Sequence, residues 1–422
     1  MVISHRLTAP FAIAVDAKKN ASNVIPANIS LNEALAATLR AAVTLPLERV
    51  PLCEALHRIL ASDVASDMDM PPFAKSAMDG FACRRVDITK PLTVAGEVPA
   101  GQVPTIVVGE GQCVRIMTGA PVPTGADCVV MVEHTQLSDD GDVMVVAPDG
   151  QCTKDNICTK GEDVHKGDIV LKRGIRLGPP HIAMLAAVGF ADVPVIRRPV
   201  VGIIATGSEL VEPEKAIGGA MIRNSNSCQV VAQTQQMNAL PNYYGIVDDT
   251  LEAIRSAIAR AREACDVVIV SGGVSMGAYD FVPEALLAEG YRFEYKSVAM
   301  QPGKPTLFGT SKNGRYCFGL PGNPVSALVV FELIIKPFLY RLMGHDFAPA
   351  IIMAKLSDTF RRKKAKRQSS LPVRFTGPGK VALVDYHGSA HIGAFCDADG
   401  ILTVPKGVKE IEKGTVVHVR CL

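Results

Sequence analysis

No tryptophan occurs in the 422 residues, and aromatic side chains make up only 5% of them. Single-stranded nucleic acid is gripped by aromatic faces on which its bases stack, so the composition argues against that class of binder. Charge of one sign is equally scarce. Lys and Arg number 44 against 42 Asp and Glu, a formal +2, which argues against a uniformly basic nucleic-acid binder and against an acidic, solvating chain. No run of roughly 18 apolar residues is present, so no membrane-spanning helix is expected. The apolar stretch near the start is too short for a secretory signal and is interrupted by Asp16. The eleven cysteines are odd in number, scattered and free of any C-x-x-C pair. That pattern predicts reduced thiols in a cytoplasmic protein rather than a disulfide framework or a zinc site.

What is present is a globular composition, 48% hydrophobic and 20% charged, in a chain long enough for about two to four domains. Residues 1–28 read as a flexible extension. Ser30 and Glu33 form a capping box at the head of SLNEALAATLRAAV, with Leu31, Leu35 and Leu39 on one face, and a second short helix is expected over 52–60. Together with 160–198, where a helix is expected over 180–188, residues 29–64 read as a discontinuous helical linker domain. Between 65 and 159 the runs LTVAGEV, QCVRIM, DCVVMVEH and DVMVVAPD, separated by Gly, Pro and Asp, predict a small antiparallel β domain.

From Val200 the texture alternates: VVGIIAT, a helix over 227–238, NYYGIVD, a helix over 251–264, then DVVIVSGG. This is the pattern of a doubly wound parallel sheet and assigns 199–348 to an α/β domain. The helix beginning at Pro324 is apolar nearly all round and should be buried. Short strands return over 349–422 as a C-terminal β domain, giving a multidomain chain of class α/β plus all-β. The near-neutral charge conceals a split, because residues 348–422 carry +7 and the remainder −5. Most of the excess is RRKKAKRQ at 361–368, expected as a solvated loop or hairpin edge, or as a surface attracting a phosphate-bearing ligand.

Open parallel sheets bind ligands beyond the carboxyl ends of their strands. Here VVGIIAT runs into Gly207, Ser208 and Glu209, NYYGIV into Asp248 and Asp249, and DVVIV into SGGVSMGAYD, with Asp280 just past the turn. In SGGVSMG, Gly272, Gly273 and Gly277 permit tight turns that aim N–H groups at an anion, and Ser271 and Ser275 add hydroxyls. The spacing is neither a P-loop nor a dinucleotide fingerprint. A second anion candidate is PGNPVSA, with Asn323 at the N-cap, Pro324 at the first helical position and helix N–H groups facing outward. QPGKP presents Lys304 from a rigid turn, while PPFAKSAMDGFA and RIMTGAPVPTGAD place Asp79 and Thr118 beside glycine turns. Singly, each reads as readily as an ordinary turn. Acidic strand ends, with no grouping of Cys or His, favour Mg²⁺ over zinc as any bound ion.

Taken together, PPFAKSAMDGFA, RIMTGAPVPTGAD, the GED of 161–163, TGSEL, SGGVSMGAYDF, QPGKP and LPGNPVSA stand in a distinctive order. In that order and spacing the chain resembles, from about Ser30 to Leu422, the molybdopterin molybdenumtransferases of the MoeA type, which include the gephyrin E domain. The resemblance implies the last step of molybdenum cofactor assembly: molybdate enters the dithiolene of adenylylated molybdopterin and AMP is released, with Mg²⁺ as cofactor. It implies an elongated homodimer with the site at the subunit interface, and contact with the molybdopterin adenylyltransferase that makes the substrate. Catalytic roles are implied for Asp79, Thr118, Asp163 and Glu209, and metal ligation for Glu209, Asp249 and Asp280. Ser271, Gly272, Gly273, Ser275, Lys304, Pro321, Gly322, Asn323 and Pro324 are the substrate-binding candidates. The chain departs from the family pattern at Ala74, where Asp is frequent, and at Gln301, where a cation commonly precedes PGKP. Two alternatives stay open: an adenylyltransferase-like enzyme using the same α/β domain, and a catalytically diverged paralogue or scaffold.

Overall fold

The computed structural model describes residues 25–139, 141–146, 154–275 and 280–422. The expected flexible extension lies outside the described residues over 1–24. Its last residues depart from expectation: the Lys296 N–H donates to the Pro26 carbonyl at 2.9 Å and the Asn28 N–H to Ser297 Oγ at 2.7 Å, fixing this stretch alongside 296–298.

The capping box forms as expected, with Ser30 N–H donating to Glu33 Oε2 at 2.8 Å and Glu33 N–H to Ser30 Oγ at 3.2 Å, and it starts the helix Leu31–Ala41. The residues it buries fully are Ala34 and Thr38 rather than the leucines. The helix expected over 52–60 does not form. Leu52–Glu54 is a single 3₁₀ turn, after which Ile59 and Leu60 bridge Arg176 and Val195. Pairing with the returning segment wins over local helix propensity because it joins Leu60 and Val64 to Leu171, Leu177, Leu185 and Val195 in one apolar cluster. In that returning segment the helix is Pro179–Ala187, and Asp192–Ile196 pairs antiparallel with Leu47–Pro51.

The β region is organised around a four-stranded sheet in the order Thr93–Val98, Gln112–Ile116, Gly80–Cys83, Cys128–Met131. It is mixed rather than antiparallel, since Thr93–Val98 runs parallel to Gln112–Ile116. Residues 99–111 give the chain the length it needs to return for a parallel pairing. Both faces are covered, Phe81, Cys83 and Val130 packing on one side and Ala82, Val114 and Val129 on the other.

The α/β region carries a six-stranded sheet in the order Leu240–Val247, Val200–Thr206, Val267–Ser271, Tyr316–Leu320, Leu307–Ser311, Tyr291–Tyr295. The first four strands are parallel, whereas Leu307–Ser311 is antiparallel to both of its neighbours. Alternate residues serve opposite layers, Ile203 and Ile269 facing one cluster and Ile204, Val268 and Val270 the other. Helix Leu251–Ala264 packs on one face. Helix Ser225–Gln236 and the long apolar helix pack on the other. That long helix begins at Pro324, passes through a π segment at Phe331–Ile335 and ends at Leu342. It is buried as expected, and its acidic Glu332 is met by Lys336 Nζ at 2.8 Å and Gln233 Nε2 at 3.0 Å. The scarce aromatics concentrate here: Phe308, Phe318 and Phe338 have centroids 4.8 to 5.5 Å apart.

Beyond Ala350 the strands Gln368–Gly377, Lys380–Leu383, Ile351–Leu356, Val416–Cys421 and Gly400–Val404 pair in that order. The pairing of Gly400–Val404 back onto Gln368–Gly377 closes them into a barrel. Met300 and Gln301 of the α/β region pair in parallel with Gln368 and Ser369 on the barrel. No helix among the described residues is long and apolar enough to cross a membrane.

Candidate functional site

All four parallel strands end on the same side of the sheet, and a cavity of about 750 Å³ opens there. Its walls are the strand-end segments singled out from the sequence: Gly207 and Glu209, Asp249, Ser271 to Ser275, Asp280, and the turn Pro321–Gly322–Asn323–Pro324. The first strand end is braced by the second, the Ser208 N–H donating to Asp249 Oδ2 at 3.0 Å. At the third, Gly272 has φ +97°, and a Cβ there would sit 2.3 Å from the Thr206 carbonyl oxygen. Only glycine lets the loop fold back this closely. Beneath it Thr206 Oγ1 is buried with no hydrogen-bond partner among the described residues, an unpaired polar atom in the cavity wall.

Helix Ser225–Gln236 also presents its first turn to the cavity, through Ser225 and Asn226. Its N-cap Asn224 accepts the Ser227 N–H at 3.1 Å and donates to Tyr243 Oη at 2.7 Å; that hydroxyl in turn donates to Glu212. Burial and the neighbouring Glu212 carboxylate push the Tyr243 phenol pKa up, so the hydroxyl stays a donor. The sequence alone does not mark Asn224 and Asn226. Their partners are 19, 45 and 96 residues away, and an Asn pair at a helix start has no local mark beyond capping.

A second, smaller cavity of about 230 Å³ shares Pro305, Pro321 and Asn323 with the first. Lys304 and Gln301 line it from the QPGKP turn, with Ser326, Tyr386 and Ser389 around them. The cation reaching it from the basic run is Arg367, delivered by the pairing of Gln368 with Met300. The basic run itself is only partly the solvated edge expected of it. Arg361 pairs with Glu410 at 2.7 Å, and Arg362 is half-buried, donating to the carbonyls of Val408 and Arg367 and to Ser369 Oγ. Desolvation pulls the Arg362 pKa down.

Asn323 occupies the N-cap position as expected, but its amide donates to Ser389 Oγ at 2.9 Å and makes no cap bond. Of the helix-start amides expected to be free, that of Val325 is already taken, donating to the Ser389 carbonyl at 3.1 Å. Of the glycines in SGGVSMG, Gly277 lies outside the described residues.

Asp79, Thr118 and Asp163 do not line either cavity. Asp79 is exposed at the head of the strand Gly80–Cys83, where a Cβ on Gly80 would lie 2.0 Å from the Val130 carbonyl oxygen. Its Oδ1 accepts both the Thr118 N–H at 2.6 Å and the Thr118 hydroxyl at 2.7 Å. These two donors, the amide first, hold the Asp79 carboxyl below its ordinary range. Asp163 is exposed, with its N–H on the Met70 carbonyl at 3.0 Å.

Glu209, Asp249 and Asp280 share the larger cavity, but no three His, Cys, Asp or Glu side chains among the described residues stand close enough to hold an ion. Asp249 is drawn to the Ser208 amide, and Glu209 lies against its own Gly207. The donor set still fits Mg²⁺, which characteristically takes one or two carboxylates and completes its shell with phosphate oxygens and water. All ten cysteines among the described residues are free thiols.

Three family descriptions cover nearly all of the chain: residues 29–189 match the MoeA N-terminal region (domain I and II), 202–341 a probable molybdopterin binding domain, and 354–422 the MoeA C-terminal region (domain IV). The chain is 36% identical over 383 residues to the molybdopterin molybdenumtransferase of Bacillus subtilis, covering 88% of this chain and 89% of that one. It is 34% identical over 401 residues to the Staphylococcus aureus enzyme of the same name, covering 93% and 95%. The crystal structure of the molybdopterin biosynthesis MoeA protein from Pyrococcus horikoshii superposes with a TM-score of 0.80 at 30% identity, covering 94% of this chain and all of that one.

Proposed function

The chain belongs to the family of the molybdopterin molybdenumtransferases, and from that premise we propose that it transfers molybdenum into molybdopterin, taking the adenylylated pterin and molybdate as substrates and releasing AMP. It is a transferase of molybdenum cofactor biosynthesis. The single observation that supports the finer reading is the pair of adjacent cavities with a shared wall at Pro305, Pro321 and Asn323. The larger offers carboxylates opposite a glycine loop, chemistry suited to a pyrophosphate and its counter-ion; the smaller offers Lys304 and Arg367 among hydroxyls, chemistry suited to a small oxyanion.

In this reading the loop Ser271–Ser275 and the turn Pro321–Pro324 hold the pyrophosphate, and Lys304, Arg367 and Ser389 hold molybdate beside it. One or two of Glu209, Asp249 and Asp280 hold Mg²⁺, which when bound withdraws charge from the phosphate oxygens. Asp79, kept ionised by Thr118, orients substrate or a water molecule, and Asp163 acts with it. Because Asp79, Thr118 and Asp163 stand outside the cavities of their own chain, a homodimer completes the site, each copy presenting Asp79 to the other's cavity. The molybdopterin adenylyltransferase hands over the substrate by contact.

Purified chain incubated with adenylylated molybdopterin should release AMP only when both molybdate and Mg²⁺ are present, and without ATP. No AMP release under those conditions defeats the reading, while ATP-dependent adenylylation of molybdopterin would assign the chain to the adenylyltransferase reaction instead.

A further inference from the structure

Asn226 sits at the second position of helix Ser225–Gln236, half-buried in the cavity wall. Its side-chain nitrogen lies 2.8 Å from the Gly322 carbonyl oxygen and 3.0 Å from Ser271 Oγ. A carbonyl can only accept, so the contact with Gly322 fixes which end of the amide faces this way and makes Nδ2 the atom that meets both partners. Its two N–H groups are then both spent. Ser271 Oγ must therefore accept from Asn226, and its own proton is left over. Ser271 is 4% exposed, and among the described residues its hydroxyl proton has no acceptor.

We infer that Asn226 is a positioning residue of the cavity: it turns the buried Ser271 hydroxyl into a directed donor toward a phosphate oxygen of the bound ligand. The same amide ties the glycine loop that follows Ser271 to the turn at Gly322, so the two halves of the phosphate-binding wall are set by one side chain. Asn226 is itself held, because the preceding N-cap Asn224 is anchored through Tyr243 to Glu212. This inference rests on the reading that the larger cavity takes a pyrophosphate-bearing ligand.

The test uses the full-length chain and inorganic pyrophosphate as probe, measured by titration calorimetry with Mg²⁺ present, together with AMP release from adenylylated molybdopterin. Asn226→Ala and Ser271→Ala should each weaken pyrophosphate binding about tenfold, and the double variant should be no weaker than the worse single one, since both remove the same donated hydrogen bond. KM for adenylylated molybdopterin should rise by about the same factor while kcat stays within about threefold, the signature of a contact made in the ground state. Asn226→Asp, nearly isosteric and tolerated at a helix start, should keep the wild-type melting temperature within a few degrees and still lose binding; it decides the matter should Asn226→Ala fail to fold. Losses that add in the double variant, or wild-type affinity in Asn226→Asp, overturn the inference alone. A wild-type chain that binds no pyrophosphate overturns the underlying reading and this inference with it.

Discussion

The cavity at the strand ends and the turn that carries Asp79 are built from the same parts, a carboxylate beside glycines whose missing Cβ atoms let two backbones close together. They use those parts oppositely. Around the cavity, Glu209, Asp249 and Asp280 come from three separate strand ends and line one concave surface. Asp79 stands alone and exposed, yet its Oδ1 already receives both donors of Thr118. A group set in advance but facing solvent suits a ligand held elsewhere, whereas carboxylates spread around a hollow suit a ligand that completes them. On the proposed function, the difference separates holding the substrate from acting on it.

The most severe test of that division is to disable the two regions in different chains. Asp79→Ala and Asp280→Ala, and likewise Glu209→Ala, should each abolish AMP release while leaving the fold intact. Unfolding and refolding a mixture of Asp79→Ala and Asp280→Ala chains should restore about a quarter of wild-type activity, because random pairing makes half of the dimers mixed and each of those has one intact site. A mixture that stays inactive would break the comparison and place Asp79 at its own chain's cavity or outside the reaction.

Smaller effects sharpen each side. Gly272→Ala would set a Cβ against the Thr206 carbonyl at a left-handed φ, so it should lose roughly 1–3 kcal/mol in urea unfolding and most pyrophosphate affinity. Gly80→Ala should destabilise the β region by separating Gly80 from the Val130 carbonyl, with pyrophosphate affinity unchanged. Thr118→Val removes one of the two donors that hold the Asp79 carboxyl low. Activity that needs ionised Asp79 falls as pH drops through its folded pKa; that pKa is depressed in the native chain, so the acid limb of kcat/KM should move to higher pH in the variant. An unmoved limb would mean that Asp79 does not govern the rate. Ser30→Ala, remote from both regions, should cost only about 1 kcal/mol of stability by removing the cap and leave AMP release untouched.

Much of this architecture was legible where a residue acts on its immediate neighbours. Ser30 with Glu33 marks a helix start that the structure reproduces, and the alternation after Val200 identifies the α/β sheet. What failed depended on distant partners. Residues 52–60 look helical until the segment around Val195 offers them a strand pairing, and the alternation of Thr93–Val98 carries no sign of the direction in which it pairs. The same limit applied to the site. Strand-end carboxylates and glycine loops follow from sheet geometry, so the sequence marks them, but how each carboxylate is held is decided by single hydrogen bonds such as that from Ser208 to Asp249. Arg362 looked like one more solvated cation in a basic run, yet it is spent on backbone carbonyls.

The closed barrel has a consequence for when the protein becomes competent. Its last strand is Val416–Cys421, and the barrel fixes Gln368 against Met300 and so sets Arg367 and Ser389 around the small cavity. A ribosome releases this chain from its N-terminus, and the earlier regions can fold as they emerge. The smaller cavity cannot, because Arg367, Tyr386 and Ser389 of its lining come from this late region. The larger draws Ala390 and Ile392 from the same region, so neither cavity is complete until it has emerged.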